Sequence, residues 1–197
     1  MTIYPFSALL SRMKYISRWG LMRSTRQENL AEHSAETAQL AHLLALLAKE
    51  QFAADVRPEQ VAVAALYHDA AEILAGDMPT PVKYNNDGLK TAYKAMERQA
   101  EERLCALAPE AVRPALSAAV LGDGLRERER RILKAADKLS ALLKCIEERQ
   151  SGNLEFASAE AAQRASLAAM ALPEADYFMQ YLLPAYTQTL DELTREG

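Results

Sequence analysis

The chain has 197 residues, enough for one domain with a sizeable apolar core and too few for two domains of ordinary size. Its residues are 50% hydrophobic and 25% charged, a balance that excludes general disorder and leaves disorder to the termini. The 23 basic and 27 acidic residues give a net charge of −4. This charge disfavours nucleic acid as a partner but permits a small anionic substrate held by local Arg and Lys.

No apolar stretch reaches the roughly 18 residues that a membrane span requires. The first residues lack the basic segment and the small-residue cleavage site of a signal peptide. We therefore expect a cytoplasmic protein with no membrane partner. Its two cysteines, Cys105 and Cys145, are expected to be free thiols, because a domain with a full core rarely needs a disulfide.

Apolar residues recur every three or four positions from Leu30 to Phe52, which predicts a long, half-buried helix. A second helix is predicted from about residue 58 to 75, because Pro58 suits a first helical position and Gly76 suits a helix stop. The next stretch, residues 77–88, holds two prolines, two asparagines and a glycine. So many helix breakers predict a loop.

Helical periodicity returns in the second half of the chain. The predicted helices there run over residues 89–108, from beyond Pro109 to about 121, 127–150, 155–170 and 174–194. The sequence contains no convincing strand and no repeat of 20 to 50 residues. The predicted fold is therefore all-α, an irregular helical bundle that forms a single domain over residues 1–197.

One of the three histidines, His68, stands directly before Asp69 in the segment YHDAAE. On a helix, neighbouring residues lie about 100° apart, so both side chains can approach one metal ion. The pair alone is weak evidence, because His followed by Asp often occurs by chance. His33 in AEHSAE and Asp137 in KAADKLSALLK strengthen the hypothesis, since both lie in apolar helical segments.

A metal would explain Asp137, because an unpaired carboxylate in an Ala- and Leu-rich segment is costly to bury. The predicted ligands are His33, His68, Asp69 and Asp137. Two imidazoles and two carboxylates suit one divalent ion such as Co²⁺, Mn²⁺, Zn²⁺ or Fe²⁺ and leave positions open for water and substrate.

These ligands match the pattern of the HD-domain phosphohydrolases, which the sequence resembles. Four stretches also resemble the bacterial 5'-deoxynucleotidases: SRWGLMR, ENLAEHS, YHDAAEILAGDMPTPVKY and KAADKLSALLKCIEE. The resemblance covers essentially the whole chain. It implies a helical HD-domain fold and metal-dependent hydrolysis of deoxyribonucleoside 5'-monophosphates to deoxyribonucleosides and inorganic phosphate. It also implies one divalent ion (Co, Mn, Zn, Fe or Cu) and a homodimer.

The resemblance gives Glu72 the role of general acid or base beside a metal-activated water. Its spacing from His68 and Asp69 places it on their face of a helix, although a solvated surface glutamate is the alternative. Arg18 is the predicted phosphate clamp, since a guanidinium holds two phosphate oxygens at once. With Asp69, these residues form the predicted catalytic set, and His33 and Asp69 also belong to the predicted substrate site.

Trp19 is the only tryptophan, and without the resemblance core packing would be its expected role. The resemblance instead places the indole on the pocket wall, where it would crowd a ribose 2'-hydroxyl. Asp77 is predicted to accept a hydrogen bond from the sugar 3'-hydroxyl. Met78, Pro79 and Thr80 follow in the same turn and complete the predicted substrate site, with Thr80 acting through its hydroxyl or its backbone.

Other charged segments are expected to lie outside the site. His42 lies about 180° around the helix from His33 and should face away from the metal. The run RERERR, residues 126–131, is predicted to be a self-paired solvated face. Relatives carry an acidic residue where this chain has Gly122, and the adjacent Asp123 is a candidate substitute.

Two other functions are alternatives to hydrolysis of deoxyribonucleoside 5'-monophosphates. Another HD-type reaction, on a cyclic dinucleotide, a guanosine polyphosphate or a nucleoside triphosphate, would require more basic residues than Lys83 near the pocket. The second is a non-catalytic helical protein that binds a metal or a nucleotide. Glu72 and Arg18 argue against it, because a structural metal needs a closed ligand shell and no phosphate clamp.

Overall fold

A computed structural model of the chain describes residues 2–83 and 85–195, with only the backbone described at residues 80 and 81. The regular structure of these residues is helical, apart from one isolated antiparallel bridge between Ser17 and Asn29. The predicted all-α fold is confirmed. In the described part of the chain, every helix is too short or too polar to cross a membrane.

The α-helices are, in chain order, α1 (Phe6–Leu10), α2 (Leu30–Leu46), α3 (Pro58–Tyr67), α4 (Glu72–Ala75), α5 (Thr80–Lys83), α6 (Asp87–Ala106), α7 (Arg113–Val120), α8 (Glu127–Gln150), α9 (Ala157–Ala169), α10 (Pro173–Tyr177) and α11 (Leu190–Leu193). Short 3-10 segments cover Ser11–Tyr15, Leu154–Phe156 and Leu183–Thr187, and single π-helical turns cover Leu47–Gln51 and Phe178–Leu182.

The main core lies where α2, α3 and α8 pack against one another. Apolar side chains on α8 recur every three or four residues, and Ile132, Leu139 and Leu142 are fully buried. Leu44 from α2 and Phe178 from the C-terminal segment close this core. Burying each of these large side chains contributes about 1.5–3 kcal/mol, which fixes the relative positions of α2, α3 and α8. His33 and Asp137 lie on α2 and α8, and His68 and Asp69 directly follow α3.

A smaller cluster packs α1, α6 and α7 against the turn that follows α3. Its buried members include Phe6, Ala70, Leu104 and Val120. Because Ala70 comes directly after the His-Asp pair, this cluster holds the pair against the rest of the protein.

The second predicted helix is interrupted at the His-Asp pair, which corrects the prediction of one continuous helix over residues 58–75. Helix α3 ends at Tyr67, and residues 68–71 form a turn before the single-turn α4. The His68 ring nitrogen Nδ1 lies 2.7 Å from the Ala65 carbonyl oxygen. That contact occupies the carbonyl near the helix end, and the turn continues with i to i−3 bonds such as Glu72 N–H to Asp69 O at 3.0 Å.

Other boundaries also differ from the prediction. The predicted helix over residues 174–194 is broken into α10, a π-helical turn, a 3-10 segment and α11, because Pro184 lacks the N–H that a continuous helix requires. The predicted loop over residues 77–88 contains α5, whose first turn tolerates Pro81 since no backbone donor is needed there. Helical segments at residues 6–15 replace the disorder expected near the N-terminus.

The run at residues 126–131 is exposed at Arg126, Glu127 and Arg130, as predicted, but its other charges are not self-paired. Glu129 is fully buried and binds Arg57 at the start of α3, with Nη2 to Oε2 at 2.6 Å. Arg128 binds the buried Glu174 at 2.7 Å. These charges pair with other helices rather than with one another, so they connect α8 to α3 and α10.

Candidate metal and phosphate site

The N-terminus of α2 positions His33. The Asn29 side chain caps this helix by accepting hydrogen bonds from the backbone N–H groups of Ala31 and Glu32, at 3.0 and 3.1 Å. Glu32 returns a bond to the Asn29 N–H at 3.4 Å, which completes a capping box. His33 follows in the first turn, fully buried, with its ring Nδ1 2.9 Å from the Ser140 hydroxyl oxygen on α8.

The four predicted ligands converge. Nε2 of His33 lies 3.5 Å from Oδ2 of Asp69 and 3.2 Å from Oδ1 of Asp137. Nε2 of His68 lies 3.1 and 3.9 Å from the same two oxygens. Ligand atoms of His33, His68 and Asp69 all lie within 4.8 Å of one another, the one such group of possible metal ligands among the described residues. Neither His42 nor Asp137 is part of this group, although Asp137 lies beside it through its contacts with the two imidazoles.

The imidazole nitrogens that face the carboxylates are suited to a metal rather than to hydrogen bonds. Both Nε2 atoms are buried and have no hydrogen-bond partner within the described part of the chain. Each Nδ1 atom is already engaged, by Ser140 for His33 and by the Ala65 carbonyl for His68. Because a carbonyl can only accept, His68 carries a hydrogen on Nδ1, and Nε2 is the nitrogen that can bind a metal once it has lost its proton. The residues therefore fit a divalent ion.

The charges at the site also favour a cation. Burial alone would lower the pKa of His68, but the charge and hydrogen bond of Asp69, together with the charge of Asp137 and the Ala65 carbonyl, outweigh burial and raise that pKa to about 9. Burial opposes ionisation of Asp69, yet the neighbouring His68 and His33 hold its pKa well below the usual value. The Asp137 side chain is 40% exposed, so this ligand reaches the cleft from α8. The two carboxylates thus favour positive charge at the imidazole nitrogens, which a proton supplies in the absence of a metal and which a bound cation would supply in its place.

Arg18 connects the metal cluster to the cleft. Its Nη1 lies 3.3 Å from Oδ2 of Asp69, and its Nε donates to Oε2 of Glu28 at 3.2 Å. Trp19 is half-buried beside it, with its indole N–H donating to the same Glu28 oxygen at 2.8 Å. The ring centroids of Trp19 and Phe156 lie 5.2 Å apart. The indole thus touches a core aromatic and also reaches the cleft.

These residues open onto a cleft of about 260 Å³. It is lined by Arg18, Trp19, Asp69, Glu72, Asp77, Met78, Pro79, Lys83, Asp137, Lys138, Ala141 and Gln163. The cleft therefore brings together most of the predicted site. His33 is fully buried and does not line it, and the prediction for the Thr80 hydroxyl lies outside the described side chains.

Glu72 lies in the first turn of α4, 6% exposed, with Oε2 unpartnered in the described part of the chain. Burial and the charges of Asp69 and Asp77 raise the pKa of Glu72 to about 9. Burial likewise raises the pKa of Asp77. A carboxyl group that holds a proton at neutral pH and lies in the cleft is suited to proton transfer.

The adjacent acid proposed as a substitute at Gly122 points elsewhere. Asp123 binds Arg98 through both carboxylate oxygens, at 3.2 and 2.9 Å. Gly122 has a φ of 64°, a conformation that favours glycine. Neither residue is among those that line the cleft.

Sequence patterns missed the residues that support the site. Glu28 bonds to Arg18 and Trp19, and Ser140 lies against His33. Glu36 supports the site indirectly, because it accepts a bond of 2.5 Å from Ser140. Ser140 lies one helical turn after Asp137, a spacing that places both on one face of α8. That spacing is the signal that could have identified it.

Solved structures share this fold. An HD-domain phosphohydrolase from Listeria innocua matches with a TM-score of 0.81 and 24% identity, covering 94% of this chain and 90% of its own. The cyanophage S-2L HD phosphohydrolase, solved with dA and one catalytic Zn²⁺, matches with a TM-score of 0.63 and 22% identity, covering 93% and 97%. The fold is that of the HD-domain phosphohydrolases.

Sequence comparisons define the family within this class. The model of the family described as 5'-deoxynucleotidase YfbR-like matches residues 5–186. A 5'-deoxynucleotidase from Erwinia tasmaniensis is 44% identical over 192 residues, which cover 98% of this chain and 97% of the relative. The chain belongs to the YfbR-like 5'-deoxynucleotidase family, which confirms the resemblance found in its motifs.

Proposed function

We propose that this protein is a metal-dependent 5'-deoxynucleotidase that hydrolyses deoxyribonucleoside 5'-monophosphates to deoxyribonucleosides and inorganic phosphate. One structural observation favours this function over the alternatives. Two buried, unpartnered imidazole nitrogens face two carboxylates at 3.1 to 3.9 Å, and a guanidinium lies against one of those carboxylates at the edge of an open cleft. A purely structural metal site would need no such guanidinium and no cleft.

His33, His68, Asp69 and Asp137 would hold one divalent ion. The mixed nitrogen and oxygen ligand set suits Co²⁺, Mn²⁺, Zn²⁺, Fe²⁺ or Cu²⁺ better than a hard ion such as Ca²⁺. When bound, the ion supplies Lewis acidity toward a phosphate oxygen and makes water more acidic. The exposed fraction of Asp137, 40%, keeps this side of the site open to substrate.

Arg18 orients the phosphate. Its Nε and one Nη1 hydrogen are used by Glu28 and Asp69, so the Nη2 group is available for two phosphate oxygens. Hydrolysis of a phosphate monoester requires a barrier reduction on the order of 20 kcal/mol, so several contributions must act together. Arg18 contributes by neutralising charge that develops on the phosphate oxygens in the transition state.

Glu72 moves the proton. Its buried position near Asp69 and Asp77 favours the protonated form before substrate binds, and its unpartnered Oε2 can exchange a hydrogen bond with water or with the leaving 5'-oxygen. Proton transfer by a positioned carboxyl group typically contributes about 10²–10⁴ to the rate. Glu72 therefore acts as the general acid or base of the proposed reaction.

Cleft residues other than the metal ligands would recognise the sugar. Trp19 presents a rigid indole that leaves room for a 2'-deoxy carbon and crowds a 2'-hydroxyl. The Asp77 carboxylate accepts a hydrogen bond from the 3'-hydroxyl, while Met78 and Pro79 form the adjoining wall. Thr80 is placed by the sequence at the start of α5 and is proposed to contact substrate through its backbone or hydroxyl.

The competing HD-type reactions act on more highly charged substrates. The cleft carries three basic residues, Arg18, Lys83 and Lys138, and Lys83 already binds Glu97 at 2.8 Å. This balance favours a monophosphate. The test is analysis of the products, inorganic phosphate included, that metal-stripped protein forms with and without Co²⁺, Mn²⁺, Mg²⁺ or Zn²⁺ from dAMP, TMP, AMP, dATP, a guanosine polyphosphate and a cyclic dinucleotide.

Release from dAMP and TMP, with little from the other compounds, supports the proposal. Pyrophosphate or triphosphate from dATP or the guanosine compound, or linear products from the cyclic dinucleotide, would instead support another HD-type reaction. A non-catalytic protein would turn over none of these compounds.

Assembly and location are also proposed from the family resemblance. We infer a single domain, a homodimer and a cytoplasmic protein that binds a small nucleotide rather than a nucleic acid. A single cooperative unfolding transition and the mass from light scattering test the first two statements. Fractionation of the native cell tests the third, and a binding assay with duplex DNA tests the last.

A further inference from the structure

Glu28 is a buried carboxylate, 9% exposed, that lies directly before the cap of α2. Its Oε2 accepts two hydrogen bonds, from Arg18 Nε at 3.2 Å and from Trp19 Nε1 at 2.8 Å. We propose that Glu28 is a positioning residue that holds the phosphate-binding guanidinium and the sugar-facing indole as one unit, and so determines both substrate affinity and deoxyribose selectivity. The kinetic part of this inference rests on the proposed function.

The backbone fixes Glu28 relative to both partners. The Arg18 N–H donates to the Glu28 carbonyl at 3.0 Å, and the Leu30 N–H donates to the Ile16 carbonyl at 2.9 Å. Ser17 and Asn29 form the antiparallel bridge between these bonds. Because the capped helix α2 begins at Leu30, the carboxylate is anchored to the same helix that carries His33.

Trp19 requires this support because its backbone is strained. Its φ of 60° lies in the left-handed region, which costs a bulky residue about 1–3 kcal/mol unless the surroundings impose it. Three contacts impose it here: the indole bond to Glu28, the Met22 N–H bond to the Trp19 carbonyl at 2.8 Å and the packing on Phe156. Only the Glu28 bond fixes the polar edge of the indole.

Arg18 depends on Glu28 in a different way. The bond at Nε fixes the plane of the guanidinium, and the bond from Nη1 to Asp69 fixes its rotation. Together these two bonds hold the remaining N–H groups of Arg18 in a fixed orientation for the phosphate. Without Glu28, the guanidinium would keep its contact with Asp69 but lose its second support, so the phosphate would meet a mobile cation.

Both hydrogen bonds end on one oxygen of Glu28, so substitutions at this residue can keep or remove the two bonds together. Glu28→Gln keeps an oxygen that can accept both bonds. Glu28→Ala removes both bonds, and Glu28→Asp withdraws the carboxylate by one methylene so that it cannot reach both donors. Glu50→Ala is the matched control, since Glu50 is exposed and its nearest cation is Lys49 at 3.9 Å.

The first measurement is kcat and KM for dAMP and AMP in each folded variant, with the helical circular dichroism as the folding check. In Glu28→Ala and Glu28→Asp we expect KM for dAMP to rise, and the dAMP to AMP ratio of kcat/KM to fall, each by about tenfold or more. Glu28→Gln should stay within about threefold of wild type, as should Glu50→Ala. An unchanged ratio in both Glu28→Ala and Glu28→Asp would overturn the proposal, because a residue that only stabilises the fold would change both substrates equally.

The second measurement needs no reaction. Trp19 is the only tryptophan, so intrinsic fluorescence reports this indole alone. In metal-free, nucleotide-free protein, acrylamide quenching of Trp19 should increase by about twofold or more in Glu28→Ala and Glu28→Asp, because the indole is freed. Quenching should be unchanged in Glu28→Gln and Glu50→Ala. Wild-type quenching in Glu28→Ala would refute the positioning role, whereas failure of every variant and the wild type to hydrolyse dAMP would refute only the proposed function.

Discussion

The hydroxyl of Ser140 lies 2.9 Å from Nδ1 of His33, and it donates its own hydrogen to Glu36 at 2.5 Å. Since that hydrogen is committed to Glu36, Ser140 can only accept from His33. His33 therefore carries a hydrogen on Nδ1 and turns its Nε2 toward the aspartates. The Ala65 carbonyl orients His68 in the same way. Both rings thus hold the orientation that a metal needs before one binds.

Ser140→Ala should weaken metal binding by about 10- to 100-fold, because support of a histidine ligand typically has that effect. The ring of His33 would lose its fixed tautomer and orientation while the helices remain packed. Calorimetric titration of Co²⁺ or Zn²⁺ into metal-stripped protein measures the change. Ser158→Ala on the exposed face of α9 is the control. Equal affinity in Ser140→Ala and wild type would remove Ser140 from the site.

Glu72→Gln should reduce kcat for dAMP by about 10²–10⁴ while metal affinity stays near that of wild type. Glutamine occupies the same volume and cannot exchange a proton, whereas the four ligands are untouched. Steady-state kinetics at saturating metal provides the test, with Glu59→Gln, at an exposed position in the first turn of α3, as the control. A kcat within tenfold of wild type would mean that another group moves the proton.

Asp77→Asn should reduce the preference for a 3'-hydroxyl. Wild-type protein should prefer dAMP over 2',3'-dideoxy-AMP, since the dideoxy compound leaves the half-buried Asp77 without a partner, at an expected loss of about 1–3 kcal/mol. In the variant the two compounds should differ less. The measurement is kcat/KM for both compounds in wild type, Asp77→Asn and the exposed control Asp176→Asn. A preference retained in full by Asp77→Asn would place the 3'-hydroxyl elsewhere.

Acid should weaken the connection between α3 and α8. The hydrogen bond from Arg57 lowers the pKa of Glu129 to about 2, below its usual value. A lowered folded-state pKa means that the ionised carboxylate stabilises the fold above pH of about 4.5 and that this contribution disappears as pH falls toward about 2. Urea unfolding of wild type and Glu129→Gln should therefore show a difference in free energy that is largest near neutral pH and shrinks in acid.

The exposed variant Glu50→Gln is the control for Glu129→Gln, because its carboxylate is on the surface. It should show no pH-dependent difference of comparable size. A constant difference between Glu129→Gln and wild type across the acid range would contradict the account of this ion pair.

The chemistry of the site was more predictable than its surroundings. His33, His68, Asp69 and Asp137 were identified because few histidines are present and each candidate lies in a recognisable segment. Periodicity also located α8 at both ends, since a long amphipathic helix has a strong local signal. The assigned roles of these residues stay predictions until they are measured.

Long-range pairing was not predictable from local patterns. Glu28 is ten residues from Arg18 in the sequence, and Ser140 is 107 residues from His33. Over such sequence separations, helical spacing does not predict which side chains make contact. Glu129 appeared solvated in its charged run, yet the packing of α8 against α3 buries it beside Arg57. The His-Asp pair was placed on a helix that in fact ends at Tyr67, because the His68 ring competes for a helix carbonyl.

The most direct test of the central claim is phosphate release from dAMP and AMP while Co²⁺ is titrated into metal-stripped protein. We expect negligible phosphate release without metal and little release from AMP at every Co²⁺ concentration. Phosphate release from dAMP should saturate near one equivalent of Co²⁺ per protein chain. Metal-stripped Asp137→Asn should stay nearly inactive on dAMP at the Co²⁺ concentrations that activate the wild type. Full activity on dAMP in stripped protein, or saturation unchanged in Asp137→Asn, would contradict a catalytic metal held by His33, His68, Asp69 and Asp137.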